Sequence, residues 1–135
     1  MFLYNEVQKR EANQERVRVG LIGAGKFGSM FLSQVPFTIG IEVISIVDIC
    51  VENAKKNCRD VGWTKEQIES VFFFDNLKKM VSQTKIDVLV EATGDPLEGT
   101  KHALIAIEEG LDIVCLLYTS PSPRDRTRSR MPSSA

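Results

Sequence analysis

Six residues, Gly23-Ala24-Gly25-Lys26-Phe27-Gly28, restrict this chain more than any others. They follow an apolar run, Val17 to Ile22, and open a stretch in which Phe27, Met30, Phe31 and Val35 recur at helical spacing. Pro36 closes that helix, and Thr38-Ile39-Gly40 is a loop back. Ile41 to Val47 then reads as a second strand ending at Asp48, apolar except for Glu42 and Ser45, as a strand covered on both faces is. Strand, glycine turn, helix, strand and acid follow one another in the order that a dinucleotide-binding unit requires.

Each position has a physical reason. Gly23 lets the chain leave the first strand sharply. Gly25, lacking a side chain, lets backbone approach a pyrophosphate, and Gly28 lets the helix lie close to the strand. The helix start offers unpaired N–H groups and the positive end of its dipole. Asp48 stands twenty residues after Gly28, where a carboxylate accepts hydrogen bonds from the adenosine ribose hydroxyls. Its charge repels a 2′-phosphate and no Arg follows closely, which favours NAD over NADP. Two plainer readings stand beside these: a structural glycine turn, and an Asp that caps a helix or ends a strand in solvent.

Downstream, strands and helices keep alternating. Glu52–Val61 reads as a polar-rich helix with Gly62 as its cap. Thr64 to Gln67 has capping-box spacing, and Val71-Phe72-Phe73 is a short strand whose aromatics are expected in the core. Asp75 is placed to cap a helix over Asn76–Ser82. Ile86–Val90 is the fourth strand. Pro96 suits the first turn of a helix running to Glu109, with Gly110 as its cap, and Leu111–Val114 is the fifth strand. The pattern predicts an α/β doubly wound parallel sheet, Rossmann-type, in the order 3-2-1-4-5. Strand 4 then lies beside strand 1, and the gap between their carboxyl ends is the switch point. Gly23–Gly28 and Ala92-Thr93-Gly94 would border it, with Thr93 and Gly94 on the nicotinamide side or simply forming a strand-to-helix turn. His102 reads as a packed or solvated side chain, since nothing in the sequence pairs with it.

Composition narrows the function classes. The 135 residues are 43% apolar and 26% charged, with a net charge of −1. That fits one soluble globular domain and gives no reason to expect nucleic acid or a membrane as partner. Cys50, Cys58 and Cys115 have neither metal-type spacing nor an even count, so reduced thiols in a cytoplasmic protein are expected. Residues 1–16 read as a helical arm or a frayed terminus, and 17–114 as an incomplete dinucleotide-binding domain. From Cys115 the composition changes. Residues 115–135 carry three of the five prolines and a charge of +3, against −4 for the rest. Such a Pro/Ser/Arg tail is expected to be disordered. Cys115–Asp125 also back-translates into a run resembling read-through of a transposase-type sequencing adapter, so the tail is expected to be non-native.

Arg18 to Phe31, the strand ending at Asp48, Val90-Glu91-Ala92-Thr93-Gly94-Asp95 and the arm Leu3-Tyr4-Asn5 together resemble the N-terminal domain of homoserine-dehydrogenase-like NAD(P)-dependent oxidoreductases, the branch with a later SAF-type domain. The resemblance implies hydride transfer between a nicotinamide and a small hydroxy or carbonyl substrate. It places substrate and catalytic groups in a following domain, so no catalytic residue carries over and the fragment is expected to be inactive. An oligomeric parent is compatible with it. Lys26, in the glycine turn, stands either beside a phosphate or in solvent. Two other readings remain: a non-catalytic NAD-sensing module, and a fragment of a sugar or dipicolinate-type reductase on the same fold.

Overall fold

The computed structural model describes residues 5, 6, 8, 9 and 15–116. In the arm, Asn5, Glu6, Gln8 and Lys9 are helical and exposed. Most of the expected arm, and the tail from residue 117 onward, lie outside the described residues.

The elements run β1 (Val17–Ile22), α1 (Lys26–Gln34), a 3-10 turn (Val35–Phe37), β2 (Ile41–Val47), α2 (Val51–Asp60), α3 (Lys65–Glu69), β3 (Phe72–Phe74), α4 (Leu77–Gln83), β4 (Val88–Glu91), α5 (Pro96–Glu108) and β5 (Asp112–Cys115). The sheet has the expected order, β3-β2-β1-β4-β5, and every pairing is parallel. Parallel neighbours need crossover helices, and those helices bury both faces of the sheet.

Alternation along β1 divides its side chains between two cores. Val19 and Leu21 pack with Leu32 of α1, Ala54 and Cys58 of α2 and Ile68 of α3. Ile22 lies in the opposite cluster with Leu77 and Met80 of α4 and Ala106 of α5. Trp63 ties the first layer together: its indole N–H donates to the Leu32 carbonyl at 2.8 Å in a buried position. The capping box of α3 forms in full, Thr64 accepting from the Gln67 N–H and Gln67 from the Thr64 N–H.

Several local expectations shift. Phe27, Phe31 and Val35 pack on the core as the spacing predicts, but Met30 is 63% exposed and Leu32 fills the core beside them. Pro36 does not end the helix abruptly; it sits in the 3-10 turn that extends it, where its missing N–H costs nothing. Phe72 is 60% exposed because β3 is the sheet edge, so not every member of the Phe cluster is core. Asn76, not Asp75, caps α4 by accepting from the Lys79 N–H, while Asp75 pairs with the Lys79 ammonium at 3.3 Å. β4 runs through Glu91 and β5 through Cys115, which pair with each other.

Burial has a chemical consequence at Cys58. The side chain is fully enclosed, and desolvation of the thiolate pushes the thiol from 9.0 up to about 11. The unfolded thiol therefore ionises first. Its contribution to stability is fully present below about pH 9 and is lost as pH rises toward about 11. Cys50 and Cys115 are exposed. At pH 8, a thiol reagent is expected to modify those two in the native chain and Cys58 only in urea. Rapid native modification of Cys58 would contradict the packing of α2 on the sheet.

Candidate functional site

β1 is flanked by β2 on one side and β4 on the other, so successive crossovers leave it in opposite directions. A crevice must open above the carboxyl ends of these strands. A cavity of about 750 Å³ lies there. Gly23, Gly25, Lys26, Phe27, Asp48, Ala92 and Thr93 all line it; Gly28 and Gly94 stand behind its wall. A second cavity, about 930 Å³, lies between α2, α3 and β3, away from those strand ends.

The three glycines of the first turn serve three separate demands. Gly23 has φ +91°, and a Cβ there would stand 3.1 Å from the Thr93 backbone nitrogen. Its N–H donates to the Val47 carbonyl at 2.8 Å, fastening the turn to β2. A Cβ on Gly28 would lie 1.9 Å from the Gly23 carbonyl oxygen, so α1 packs directly on the turn. Gly25 is different: nothing lies within 4 Å of where its Cβ would be. It is the N-cap of α1, with no side-chain cap hydrogen bond. An open approach to a helix start, at the positive end of its dipole, suits an anion.

Asp48 braces this turn. One carboxylate oxygen accepts the Ala24 N–H at 2.8 Å, the other the Cys50 N–H at 3.0 Å. Each oxygen retains acceptor capacity for a further donor. Asn57, which the sequence reading missed, donates from its side-chain amide to the Ala24 carbonyl at 2.6 Å. Both backbone polar groups of Ala24 are thus held by side chains from outside the turn.

The β4–α5 turn closes the other side. Gly94 has φ +75°, and a Cβ there would meet the Phe27 ring at 2.7 Å, so the ring of Phe27 links the two turns. Asp95 caps α5 by accepting the Leu97 and Glu98 N–H groups. Thr93 turns its N–H and hydroxyl to Glu91 rather than to the crevice. Its N–H donates at 2.7 Å to Glu91, and its hydroxyl contacts the same carboxylate oxygen. The second carboxylate oxygen of Glu91 meets Nδ1 of His102, which also lines the cavity. His102 is therefore paired, contrary to the sequence reading. Eleven residues separate the two, and no periodic pattern connects a strand end to the second turn of the next helix. The available signal was an acid ending an otherwise apolar strand.

Parallel order, glycine turn, helix start and acid together define a Rossmann-type dinucleotide-binding domain. The chain belongs to the Gfo/Idh/MocA oxidoreductase family, NAD-binding Rossmann fold, whose model matches residues 17–115. The match does not single out the homoserine-dehydrogenase-like branch, with its SAF-type domain, read from the sequence. Among solved structures, a dehydrogenase from Chromobacterium violaceum is similar, with 23% identity and a TM-score of 0.61 over 74% of this chain and 27% of that one. A myo-inositol dehydrogenase from Lactobacillus casei, in complex with NAD(H) and myo-inositol, has 24% identity and a TM-score of 0.58 over 74% of this chain and 28% of its own. One from Corynebacterium glutamicum has 21% identity and a TM-score of 0.58, with 74% and 27% covered. At these identities the likeness concerns the fold. The chain spans 27% of the length of the first of these proteins. No curated protein matches this sequence. Among the described residues, no helix is long and apolar enough to cross a membrane.

Proposed function

We propose that this chain is the cofactor-binding domain of an NAD-dependent oxidoreductase that moves hydride between the nicotinamide and a small hydroxy or carbonyl substrate. The observation that carries the reading is the open face of Gly25 beside a turn held by Asp48. The amides of the Gly23–Gly28 turn and the start of α1 receive the diphosphate, with Lys26, exposed at the first helical position, beside it. Asp48 receives the adenosine ribose. Ala92 and Thr93, with Phe27, form the wall toward the nicotinamide half, and Gly94 gives the Phe27 ring room behind it. Bound NAD would supply the hydride acceptor. This chain's residues bind it, orient it and leave substrate chemistry to a following domain.

The homoserine-dehydrogenase-like branch is supported by the Lys26–Phe31 run and by Glu91-Ala92-Thr93-Gly94. A polyol or sugar substrate is supported by the neighbours named as inositol dehydrogenases. The free cysteines suit a cytoplasmic setting.

Calorimetric titration of the chain with NAD and NADP tests the reading. NAD is expected to bind at least tenfold more tightly, since a 2′-phosphate beside an Asp48 carboxylate meets like charge at short range; tenfold corresponds to about 1.4 kcal/mol. Equal affinities would remove Asp48 from the ribose, and no binding of either would remove the assignment.

A further inference from the structure

Glu91 presents a problem that the dinucleotide reading leaves open. It is only 2% exposed, at the carboxyl end of a central strand. Burying a carboxylate is costly unless donors surround it, and a well-packed apolar side chain is generally as good or better for stability. Here donors do surround it: the Thr93 N–H, the Thr93 hydroxyl and the His102 ring. α5 passes close enough that a Cβ on Gly99 would lie 3.6 Å from the Glu91 side chain. The arrangement fixes one ring in one orientation, and that ring lines the cavity with its side chain 15% exposed.

The tautomer follows from the partner. A carboxylate accepts hydrogen bonds, so Nδ1 carries the hydrogen, and in the neutral ring Nε2 then holds the lone pair. Nε2 is directed away from Glu91. Asp48 stands at the β2 side of the crevice and His102 at the β4 side, so a dinucleotide with its adenosine ribose on Asp48 brings its other half toward His102.

We propose that His102, oriented by Glu91 and Thr93, is a positioning residue that accepts a hydrogen bond through Nε2 from the carboxamide N–H of the nicotinamide. The inference rests on the dinucleotide reading. It deepens that reading by naming what fixes the rotation of the reactive ring. Asp95, Glu98 and Lys101 are the other charged groups on this side of the cavity, and none contacts the Glu91 carboxylate among the described hydrogen bonds.

The test compares three ligands of the full chain by calorimetry: NAD, ADP-ribose, and the 3-acetylpyridine analogue of NAD, which has a methyl ketone in place of the carboxamide and so lacks the N–H. Wild type is expected to prefer NAD over the analogue by roughly 3- to 10-fold, the worth of one net hydrogen bond. His102→Asn retains an N–H that can reach Glu91 but has nothing at the Nε2 position; His102→Leu removes both. In both variants ADP-ribose should bind as in wild type and the preference for NAD over the analogue should vanish. Either variant binding ADP-ribose normally while keeping the preference overturns the inference alone. Loss of ADP-ribose binding in both variants assigns His102 to the fold and overturns it too. Failure of wild type to bind ADP-ribose overturns the dinucleotide reading and the inference with it.

Discussion

Gly28→Ala is expected to cost the chain at least ~3 kcal/mol of stability, while Gly25→Ala leaves stability unchanged within about 0.5 kcal/mol and abolishes most NAD binding. The two glycines stand three residues apart in one turn, yet their surroundings are opposite. A methyl group added to Gly28 would need to occupy space 1.9 Å from the Gly23 carbonyl oxygen and 2.9 Å from its carbon. Both are backbone atoms of a turn fastened to β2 by the Gly23–Val47 hydrogen bond and to Asp48 through Ala24. Neither can swing aside as a side chain would. Relief requires lifting α1 from β1, which opens the core around Leu21 and Leu32. Against a typical total of about 5–15 kcal/mol, such a loss is large. At Gly25 the methyl meets no protein atom within 4 Å. It does occupy the approach to the helix start, so NAD affinity should fall by tenfold or more, about 1.4 kcal/mol or above. Urea unfolding followed by circular dichroism and NAD titration check the pair. An unchanged urea midpoint for Gly28→Ala would contradict the helix–turn contact. Wild-type affinity in Gly25→Ala would move the diphosphate elsewhere.

Asp48→Ala should lower both stability and NAD affinity, by separable routes. The carboxylate accepts two backbone N–H groups, those of Ala24 and Cys50. Removing it leaves the partly buried Ala24 N–H without its acceptor and the exposed Cys50 N–H to water, a loss of about 1–3 kcal/mol. NAD affinity should fall roughly 10- to 100-fold, because the turn loosens and the ribose loses its acceptor. Asp48→Asn retains one oxygen and should lose less stability. The ratio of NAD to NADP affinity separates the routes. Loosening the turn weakens both cofactors alike, whereas losing the charge relieves repulsion of a 2′-phosphate. A ratio that falls toward one in both variants assigns the charge to cofactor choice. A ratio equal to wild type would confine Asp48 to bracing the turn.

The Asp48 case also shows where the two readings of one residue meet. Sequence spacing allowed a ribose ligand, a helix cap or a strand end in solvent. The structure makes Cys50 the N-cap of α2 and turns the Asp48 carboxylate onto the Ala24 and Cys50 N–H groups, with acceptor capacity left for a ribose. Asn57 carries the same lesson from the other side. Its contact with the Ala24 carbonyl spans 33 residues, and a lone Asn in a polar helix has no sequence mark that separates it from solvated neighbours.

What the amino-acid order determined by itself is local and periodic. The Val17–Ile22 and Ile41–Val47 strands, the glycine turn, the Thr64–Gln67 capping box and the alternation of strands with helices depend on backbone preferences and spacing. Right-handed crossovers then leave few sheet orders available, and 3-2-1-4-5 is the one observed. What only the tertiary structure decided involves groups far apart in the chain that meet across layers. Leu32 rather than Met30 enters the core, because the face of α1 that carries Gly28 and Leu32 is the one laid against the sheet and Trp63. Phe72 is exposed because β3 has no outer neighbour in the sheet. Glu91 and His102 meet because α5 folds back over the end of β4, a contact set by packing between elements, to which no residue pattern within either element corresponds.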